Sequence, residues 1–500
     1  MASAHDLFQS VLDPDTFRSW DQPPQQPDLG PDYAAQLQRA ADRAGTDEAV
    51  VTGEGLLAGR RVALAAGVFE FLAGSIGSAA GDRLTVAVER ATAEGLPLLV
   101  SPASGGTRMQ EGTPAFVQMV KIGQAVMAHR RAGLPYLVYL RHPTTGGVLA
   151  SWGSLGHVTV AAPGALVGFL GPRVREALLG EPFAEGVQTA ENLAAVGVID
   201  GVVPPEGVRQ TAAGALHVLM SPQRPARRTT APTPIQEAGP AWESVTATRR
   251  PDRPGLRDLI SQCTETFIPL SGTGSGESDH TVITGLTRFA DFSCVLVGQD
   301  RQAQQHTYLG PAALRVAQRG VLLAEELGLP LVTVIDTSGA ELSAAAEQGG
   351  MAGEIARCLA RLATATVPVV SLILGEGSGG GALALMPADR TICAEHGWLA
   401  PLPPEGASAI IHRTKDRAAD MADLHRIRAT DLLALGAVDE IVPEPDPERN
   451  TGSWSQFLDD MVAATGHHLE ELIGVPENRR LAERHRRYRA MTDPGILPQS

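Results

Sequence analysis

The sequence predicts an α/β protein made of two related domains in tandem, for three reasons. Apolar runs of strand length alternate with helix-compatible segments through most of the 500 residues, which is typical of a largely parallel sheet with right-handed crossovers. Two of the runs break into similar small-residue turns, whose serines Ser104 and Ser338 are 234 positions apart. Other short residue pairs that end or turn an element recur at nearly constant spacing: Leu96-Pro97 corresponds to Leu329-Pro330, and Gly146-Gly147 corresponds to Gly380-Gly381. These matches indicate an internal duplication.

Hydrophobic patterning and glycine turns place the elements of each half. In the first half we expect strands at 50–55, 61–65, 68–71, 96–100, 134–140, 158–161 and 166–169, and helices at 33–43, from the opening at 74–77 through about 93, at 114–131 and from 147 onward. In the second half we expect strands at 282–285, 293–298, 331–335 and 369–374, and helices at 311–327, 347–363 and after the glycines at 377–381.

These elements divide the chain into five parts. A helical segment over 1–45 precedes a first domain over 46–220, and a second domain over 256–445 precedes a helical tail over 446–500. Residues 221–255 carry seven prolines and six arginines with no apolar period, so we expect an exposed linker there.

Composition excludes several classes of protein. A net charge of −15 without blocks of like charge argues against nucleic acid as a partner. The longest apolar run, at 159–171, is too short to span a bilayer and is broken by glycine and proline. The four cysteines form no Cys-x-x-Cys pair, so no zinc or other metal site is expected. Without a secretory pattern at the first residues, we expect a cytoplasmic protein.

Two glycine-bearing loops in each half are the candidate catalytic backbone. They are Gly105-Gly106 and Gly146-Gly147 in the first half, and Gly339-Ala340 and Gly380-Gly381 in the second. Two N–H groups from separate loops can hold an oxyanion, and the helix after the second loop adds the positive end of its dipole. The alternative is that these glycines only permit tight strand-to-helix turns.

Longer motifs around these loops resemble a known family. In the first half Ser104–Gly112, Pro143–Ser151 and Gly168–Val174 are similar to the carboxyltransferase β subunit of acetyl-CoA carboxylase. In the second half Asp336–Ala340, Gly375–Ala382, Pro404–Ser408 and Asp439–Pro445 are similar to its α subunit. The resemblance covers roughly residues 30–220 and 255–445, in β-then-α order on one chain.

The resemblance implies two tandem crotonase-like (ClpP/crotonase) ββα-superhelix domains that move a carboxyl group from carboxybiotin on a carrier protein to acetyl-CoA or propionyl-CoA. Both reactants pass through enolates, so two oxyanion holes are implied, and the biotin itself serves as base. By the resemblance Gly105, Gly106 and Gly147, with Gly146 beside them, hold one oxyanion, and Gly339, Ala340, Gly380 and Gly381 hold the other. It also implies a biotin carboxylase and a biotin carboxyl carrier protein as partners, and a homodimer or larger homo-oligomer with sites between opposite halves.

Arg108 is the side chain expected to bind substrate, because a guanidinium can hold a carboxylate with two hydrogen bonds. The alternative for Arg108 is a salt bridge to Glu111 or Glu89 that shapes the loop. Ser104, Thr145, Ser338 and Gly379 are the further candidates for substrate binding. Arg173 is expected to support its loop.

Three segments depart from the family pattern and leave the substrate open. They are Val68–Gly74, Gln299-Asp300-Arg301 in place of a basic segment, and Glu341-Leu342-Ser343, which brings a carboxylate near a site for anions. The β subunits of the family carry a four-cysteine zinc ribbon, which this sequence does not contain. A biotin-independent decarboxylase of malonyl-CoA or a malonyl-carrier protein, and a non-catalytic scaffolding subunit, therefore stand as alternatives to the carboxyltransferase.

Overall fold

The computed structural model describes residues 3–171, 176–177, 180–181, 183–221, 239–289, 291–445 and 452–491. The chain forms two compact units. The first contains Met1–His217 and Leu270–Glu277, and the second contains Val218–Pro269 and Ser278–Ser500. Among the described residues, every helix is too short or too polar to cross a lipid bilayer.

The first unit is built on a seven-stranded sheet with the order β1-β2-β3-β4-β5-β7-β9. The strands of the unit, including two outside this sheet, are β1 (Arg18–Ser19), β2 (Val50–Leu57), β3 (Arg60–Gly67), β4 (Leu98–Ser101), β5 (Tyr136–Leu140), β6 (Thr144–Thr145), β7 (Val158–Ala161), β8 (Val167–Gly168) and β9 (Gly201–Val202). β1, β2 and β3 pair antiparallel, the strands from β3 to β9 pair parallel, and β6 pairs with β8 outside the main sheet. The helices are Ala4–Val11, Pro31–Ala44, Ser78–Ala93, Thr113–Arg131, Ala190–Ala195 and Val208–Met220.

The second unit repeats this plan in an eight-stranded sheet, with the order β10-β11-β12-β13-β14-β15-β17 and β16 beside β14. Its strands are β10 (Thr264–Leu270), β11 (Val282–Phe289), β12 (Phe292–Gln299), β13 (Leu331–Thr337), β14 (Val369–Ser378), β15 (Arg390–Ala394), β16 (Trp398–Ala400) and β17 (Glu440–Val442). An antiparallel hairpin, β11-β12, again leads into parallel strands. The helices are Ala241–Thr248, Leu256–Cys263, Arg301–Gln304, Pro311–Leu327, Ala344–Gln348, Met351–Thr364, Gly379–Leu383, Pro404–His412, Ala418–Leu424, Ala429–Leu435, Trp454–Ile473 and Glu477–Ala490.

Each unit buries the apolar residues of its parallel strands under helices, which is why these strands read as continuous hydrophobic runs. In the first unit Val100, Val138 and Trp152 belong to one buried cluster. In the second unit Phe457 and Met461 of Trp454–Ile473 pack against the sheet, so part of the expected helical tail belongs to the core. That packing rests on the apolar face of the helix.

Several predicted elements are wrong in detail. Residues 68–71 are a turn rather than a strand, because the N–H of Phe71 donates to the carbonyl of Val68 (3.1 Å) and Leu72 follows with φ +45°. The helix expected from residue 147 is a single π-helical turn over Leu149–Gly153. The helix expected at 347–363 is divided in two at Gly349-Gly350, where Gly350 has φ +81°.

The segment expected to be a linker contains a packed helix. Residues 222–238 lie outside the described residues, but Ala241–Thr248 is a helix whose Ala241, Ser244, Val245 and Thr248 are buried. The indole Nε1 of Trp398 donates to the hydroxyl of Thr248 (3.0 Å). The arginines of this segment that the structure describes pair with carboxylates, as Arg253 does with Glu444. Composition could not reveal a partner such as Glu444, because it lies far away in the sequence.

Candidate active site

The first candidate site lies where two loops meet beyond the carboxyl ends of β4 and β5. The backbone N–H of Ser104 donates to the carbonyl of Pro143 (2.7 Å), and the carbonyl of Ser104 accepts from the N–H of Thr145 (2.9 Å). Gly106 and Gly146 have φ of +113° and +67°, and a Cβ added to Gly146 would lie 3.2 Å from the Cα of Gly106. Glycine is required here because the two backbones touch and both have left-handed conformations.

Most of the predicted glycine N–H groups in this unit are already engaged. Gly105 donates to the carbonyl of Ala73 (2.8 Å), Gly106 to the hydroxyl of Ser104 (3.0 Å), and Gly146 to the carbonyl of Phe169 (2.9 Å). The N–H of Gly147 makes no hydrogen bond to another described residue. Of the four glycines, Gly147 is therefore the one whose N–H is available to a ligand.

Thr107 is a second available donor, one that was not expected from the sequence. It pairs with Ile76 in a parallel bridge, in which Ile76 bonds to the carbonyl of Gly106 and to the N–H of Arg108. The N–H of Thr107 itself therefore points to the opposite side. A Cβ added to Gly147 would lie 3.2 Å from Thr107 Oγ1, so these two residues are neighbours, and both are half-buried. The signal in the sequence was the position of Thr107 directly after the glycine pair.

The second unit repeats this arrangement at a shift of 233 positions (339 − 106 = 233), one less than the serines suggested. Gly339 has φ +130° and donates to the hydroxyl of Thr337 (3.1 Å), as Gly106 does to Ser104. Gly379 has φ +66°, as Gly146 has +67°. Gly380 therefore corresponds to Gly147, and the expected pairing of Gly380-Gly381 with Gly146-Gly147 is wrong by one residue.

Ala340 takes the place of Thr107 in the second unit. It forms a parallel bridge with Leu309, whose carbonyl accepts from the N–H of Glu341 (2.9 Å), so the N–H of Ala340 also faces away from the bridge. A Cβ added to Gly381 would lie 3.4 Å from the nitrogen of Ala340. The adjacent helix begins at Gly379, and the N–H groups of a first turn have no partner within their helix. Ala340 and Gly380 therefore form the matching pair of donors.

Arg108 is buried away from this surface, and its contact with substrate stays a prediction. Its side chain is fully buried and paired with the fully buried carboxylate of Glu48. Nη1 of Arg108 also contacts Glu111 Oε1 (3.4 Å), and Nη2 of Arg108 donates to the carbonyl of Ser75 (2.8 Å). The alternative, a loop-shaping ion pair with Glu111, is correct, with Glu48 as the principal partner.

The other predicted substrate-binding residues divide into two groups. Ser104 and Thr145 are buried, and their hydroxyls donate to the carbonyls of Gly74 (2.5 Å) and Ser104 (3.3 Å), so both shape the loop. Ser338 is exposed and Gly379 is half-buried, so both are accessible from the site of the second unit. Arg173 lies outside the described residues.

The unusual residues around the second site are tied into the protein. Gln299 is buried and donates to the carbonyl of Gly381 (2.7 Å), while Asp300 accepts from Arg257 Nε (2.7 Å). Glu341 accepts from the hydroxyl of Ser343 (2.6 Å). Gln299 thus stabilises the loop that carries Gly380, at a position where the family has a basic segment.

Asp336 lies just before the Gly339 loop and joins it to the neighbouring loop. Its Oδ1 accepts from the N–H of Glu376 (3.1 Å). Burial raises the pKa of Asp336 to about 6, and the guanidinium groups of Arg301 and Arg253 oppose that rise. Within the described ranges, no three His, Cys, Asp or Glu side chains gather closely enough to hold a metal ion.

Known proteins are similar to this sequence over most of its length. A family model described as the carboxyl transferase domain matches residues 28–444. The probable biotin-dependent acyl-coenzyme A carboxylase beta3 subunit of Mycobacterium tuberculosis (strain ATCC 25618 / H37Rv) is 54% identical over 490 residues, which cover 98% of each chain. The acetyl-coenzyme A carboxylase carboxyl transferase subunits beta/alpha of Salinispora tropica is 37% identical over 93% of this chain and 85% of that one.

Solved structures share the fold. Transcarboxylase 12S superposes with a TM-score of 0.75 at 21% identity, over 94% of this chain and 90% of that chain. The predicted fold class, two tandem crotonase-like units, is confirmed. The chain belongs to the carboxyl transferase family, among the carboxyltransferase components of biotin-dependent acyl-CoA carboxylases.

Proposed function

We propose that this chain transfers a carboxyl group from carboxybiotin on a separate carrier protein to acetyl-CoA or propionyl-CoA. The observation that carries the proposal is the duplicated pair of available amide groups, Thr107 with Gly147 and Ala340 with Gly380. A transfer between two carbonyl compounds needs two places where negative charge on oxygen is stabilised. Two such places in one chain match that need.

The chain's own residues act by binding and orienting oxygen atoms. Bound carboxybiotin would supply the carboxyl group and the base. The bare backbone at Gly147 and Gly380 fits the carbonyl oxygen of a flat ureido ring or of a thioester. Each well-aimed N–H contributes about 3 kcal/mol to a transition state of this kind. Gly106 and Gly339 hold the loops in place, because their left-handed conformations turn the following N–H toward the site.

The acyl group is proposed to be short. The relative from Salinispora tropica is named for acetyl-CoA, whereas the relative from Mycobacterium tuberculosis is named for acyl-CoA in general. Acetyl-CoA and propionyl-CoA differ by one methylene group, which a pocket distinguishes by about 1–3 kcal/mol. The choice between them therefore needs direct measurement.

We further propose a homo-oligomer that works with a biotin carboxylase and a biotin carboxyl carrier protein. The relative from Mycobacterium tuberculosis is named as a subunit of a biotin-dependent carboxylase, and transcarboxylase 12S is described as a hexamer assembly. That opposite halves of two copies complete each site stays a prediction. Light scattering at micromolar concentration tests the assembly, and a monomer would contradict it.

The reaction is best tested in reverse with the purified protein, free biotin and malonyl-CoA or methylmalonyl-CoA. We expect acetyl-CoA or propionyl-CoA to form only when biotin is present, and the faster substrate identifies the acyl group. Equal rates without biotin would favour the decarboxylase. Absence of turnover with both substrates would favour the scaffolding subunit.

A further inference from the structure

A cavity of about 160 Å³ lies in the second unit, remote from the glycine loops. It opens where the helix Glu477–Ala490 passes the amino ends of β15 and β17, whereas the loops of Gly339 and Gly380 follow the carboxyl ends of β13 and β14. Because these strands are parallel, the two places are at opposite edges of the sheet. The proposed carboxyl transfer does not use this cavity.

Four arginines and three carboxylates line the cavity, and the carboxylates already have cationic partners. The arginines are Arg390, Arg480, Arg484 and Arg487. Asp389 receives two hydrogen bonds from Arg484 (2.6 and 2.9 Å), and Asp439 receives one from Arg487 (2.5 Å). Glu483 is paired with Arg479, which is not part of the lining. The lining therefore carries a local excess of positive charge in a chain whose net charge is −15.

Two of the arginines keep buried donors that their surroundings do not satisfy. Arg480 is 5% exposed, and the Nε atoms of Arg480 and Arg487 are buried and donate no hydrogen bond to another described residue, while Arg480 Nε lies 3.5 Å from Asp389 Oδ2. A guanidinium has five N–H donors, and Arg480 directs two hydrogen bonds to the carbonyls of Val475 and Thr366. Burial lowers the pKa of Arg480, the carboxylate of Asp389 opposes that fall, and the charge of Arg484 adds to it. An anion in the cavity would add to the stabilisation that Asp389 provides.

We propose that this cavity binds a phosphate group. Guanidinium groups match the oxygens of phosphate with paired hydrogen bonds, and an enclosed polar setting strengthens these contacts. The volume accommodates one phosphate with ordered water. Inorganic phosphate and the phosphate of a nucleotide share this chemistry, and both are tested below.

The test is isothermal titration calorimetry of the full chain with inorganic phosphate, at an ionic strength held constant with sodium chloride. We expect one phosphate per chain and a loss of affinity of about tenfold or more in Arg487→Gln. Arg390→Gln is the second variant. Arg390 is partly exposed, donates to the carbonyl of Asp389 (3.0 Å) and lies 4.0 Å from Glu471, so its loss should spare the fold. We expect the same direction of change in Arg390→Gln.

Arg486→Gln is the matched control, since Arg486 is an exposed residue of the helix Glu477–Ala490 and is not part of the lining. Its affinity for phosphate should equal that of the wild type. Adenosine 3′,5′-bisphosphate distinguishes the source: binding at least tenfold tighter than phosphate assigns the site to a nucleotide, and equal binding assigns it to free phosphate. Absence of binding to the wild type at about 10 mM phosphate, or equal affinity in Arg390→Gln and Arg486→Gln, would overturn the proposal.

Discussion

The guanidinium of Arg108 lies against the carboxylate of Glu48, and neither side chain is reached by solvent. Glu48 also accepts from the N–H of Ala49 (2.6 Å) and from Gln26 Nε2 (2.7 Å), so its charge is fully coordinated. The Arg108 side chain in turn holds the carbonyl of Ser75, next to the Ile76 bridge that orients Thr107. The Arg108–Glu48 pair therefore stabilises the backbone segment that orients Thr107 in the candidate site.

Removal of one partner of this pair should destabilise the protein strongly. In Arg108→Met the carboxylate of Glu48 stays buried without its cation, and we expect the free energy of unfolding to fall by about 3–5 kcal/mol. Urea unfolding followed by circular dichroism measures the change. The double variant Glu48→Gln with Arg108→Met should recover part of it. Unchanged stability together with a raised KM would return Arg108 to the role of a substrate ligand.

Asp336 should make stability depend on pH between about 4 and 6. Its pKa in the folded protein is about 6, above its ordinary value of 3.8, so over this range the folded state holds a proton that the unfolded state has released. Stability contributed by this group therefore falls as pH rises through that range, by up to about 3 kcal/mol.

The variant Asp336→Asn isolates this effect, because asparagine can still accept from the N–H of Glu376. We expect the stability difference between variant and wild type to move in favour of the variant as the pH rises from about 4.5 to about 7. Urea unfolding at both pH values measures it. A difference that is the same at both values would contradict the raised pKa.

Gly123 offers a stabilising substitution outside the site. It lies within the helix Thr113–Arg131, and a Cβ added there would meet nothing within 4 Å. Alanine in a helix interior is more favourable than glycine by about 0.5–1 kcal/mol, so Gly123→Ala should raise the melting temperature slightly. Differential scanning calorimetry checks this, and a lower melting temperature would mean that a neighbouring group occupies the space beside Gly123.

The sequence was sufficient for the architecture, because the parallel strands are buried on both faces and leave continuous apolar runs. The duplication, the helix at Thr113–Arg131 and the meeting of the two glycine loops all followed from local pattern. The register between the halves did not, because Ser104 and Ser338 look equivalent in sequence while Ser104 and Thr337 are equivalent in hydrogen bonding.

The roles of single residues depend on partners that the sequence does not reveal. Arg108 resembles a ligand until Glu48, 60 positions earlier, is found against it. The N–H groups of Gly105, Gly106 and Gly146 are engaged by carbonyls and a hydroxyl from other turns, so donor availability could not be judged from glycine content. Thr107 has only its position after the glycine pair as a signal, because its contribution is a backbone N–H that any residue could supply.

The available N–H groups at Thr107 and Gly147 are expected to stabilise the oxyanion of the carboxyl transfer. The most direct measurement is kcat for biotin-dependent turnover of malonyl-CoA in Gly147→Ala, beside Gly123→Ala as control. An added Cβ at Gly147 comes within 3.2 Å of Thr107 Oγ1 and Met119 Cγ, so the methyl group crowds the surface beside the two donors while the backbone conformation stays allowed. We predict a fall in kcat of about 100-fold in Gly147→Ala, the scale of one lost donor, with the control unchanged. Wild-type kcat in a folded Gly147→Ala protein would contradict this role.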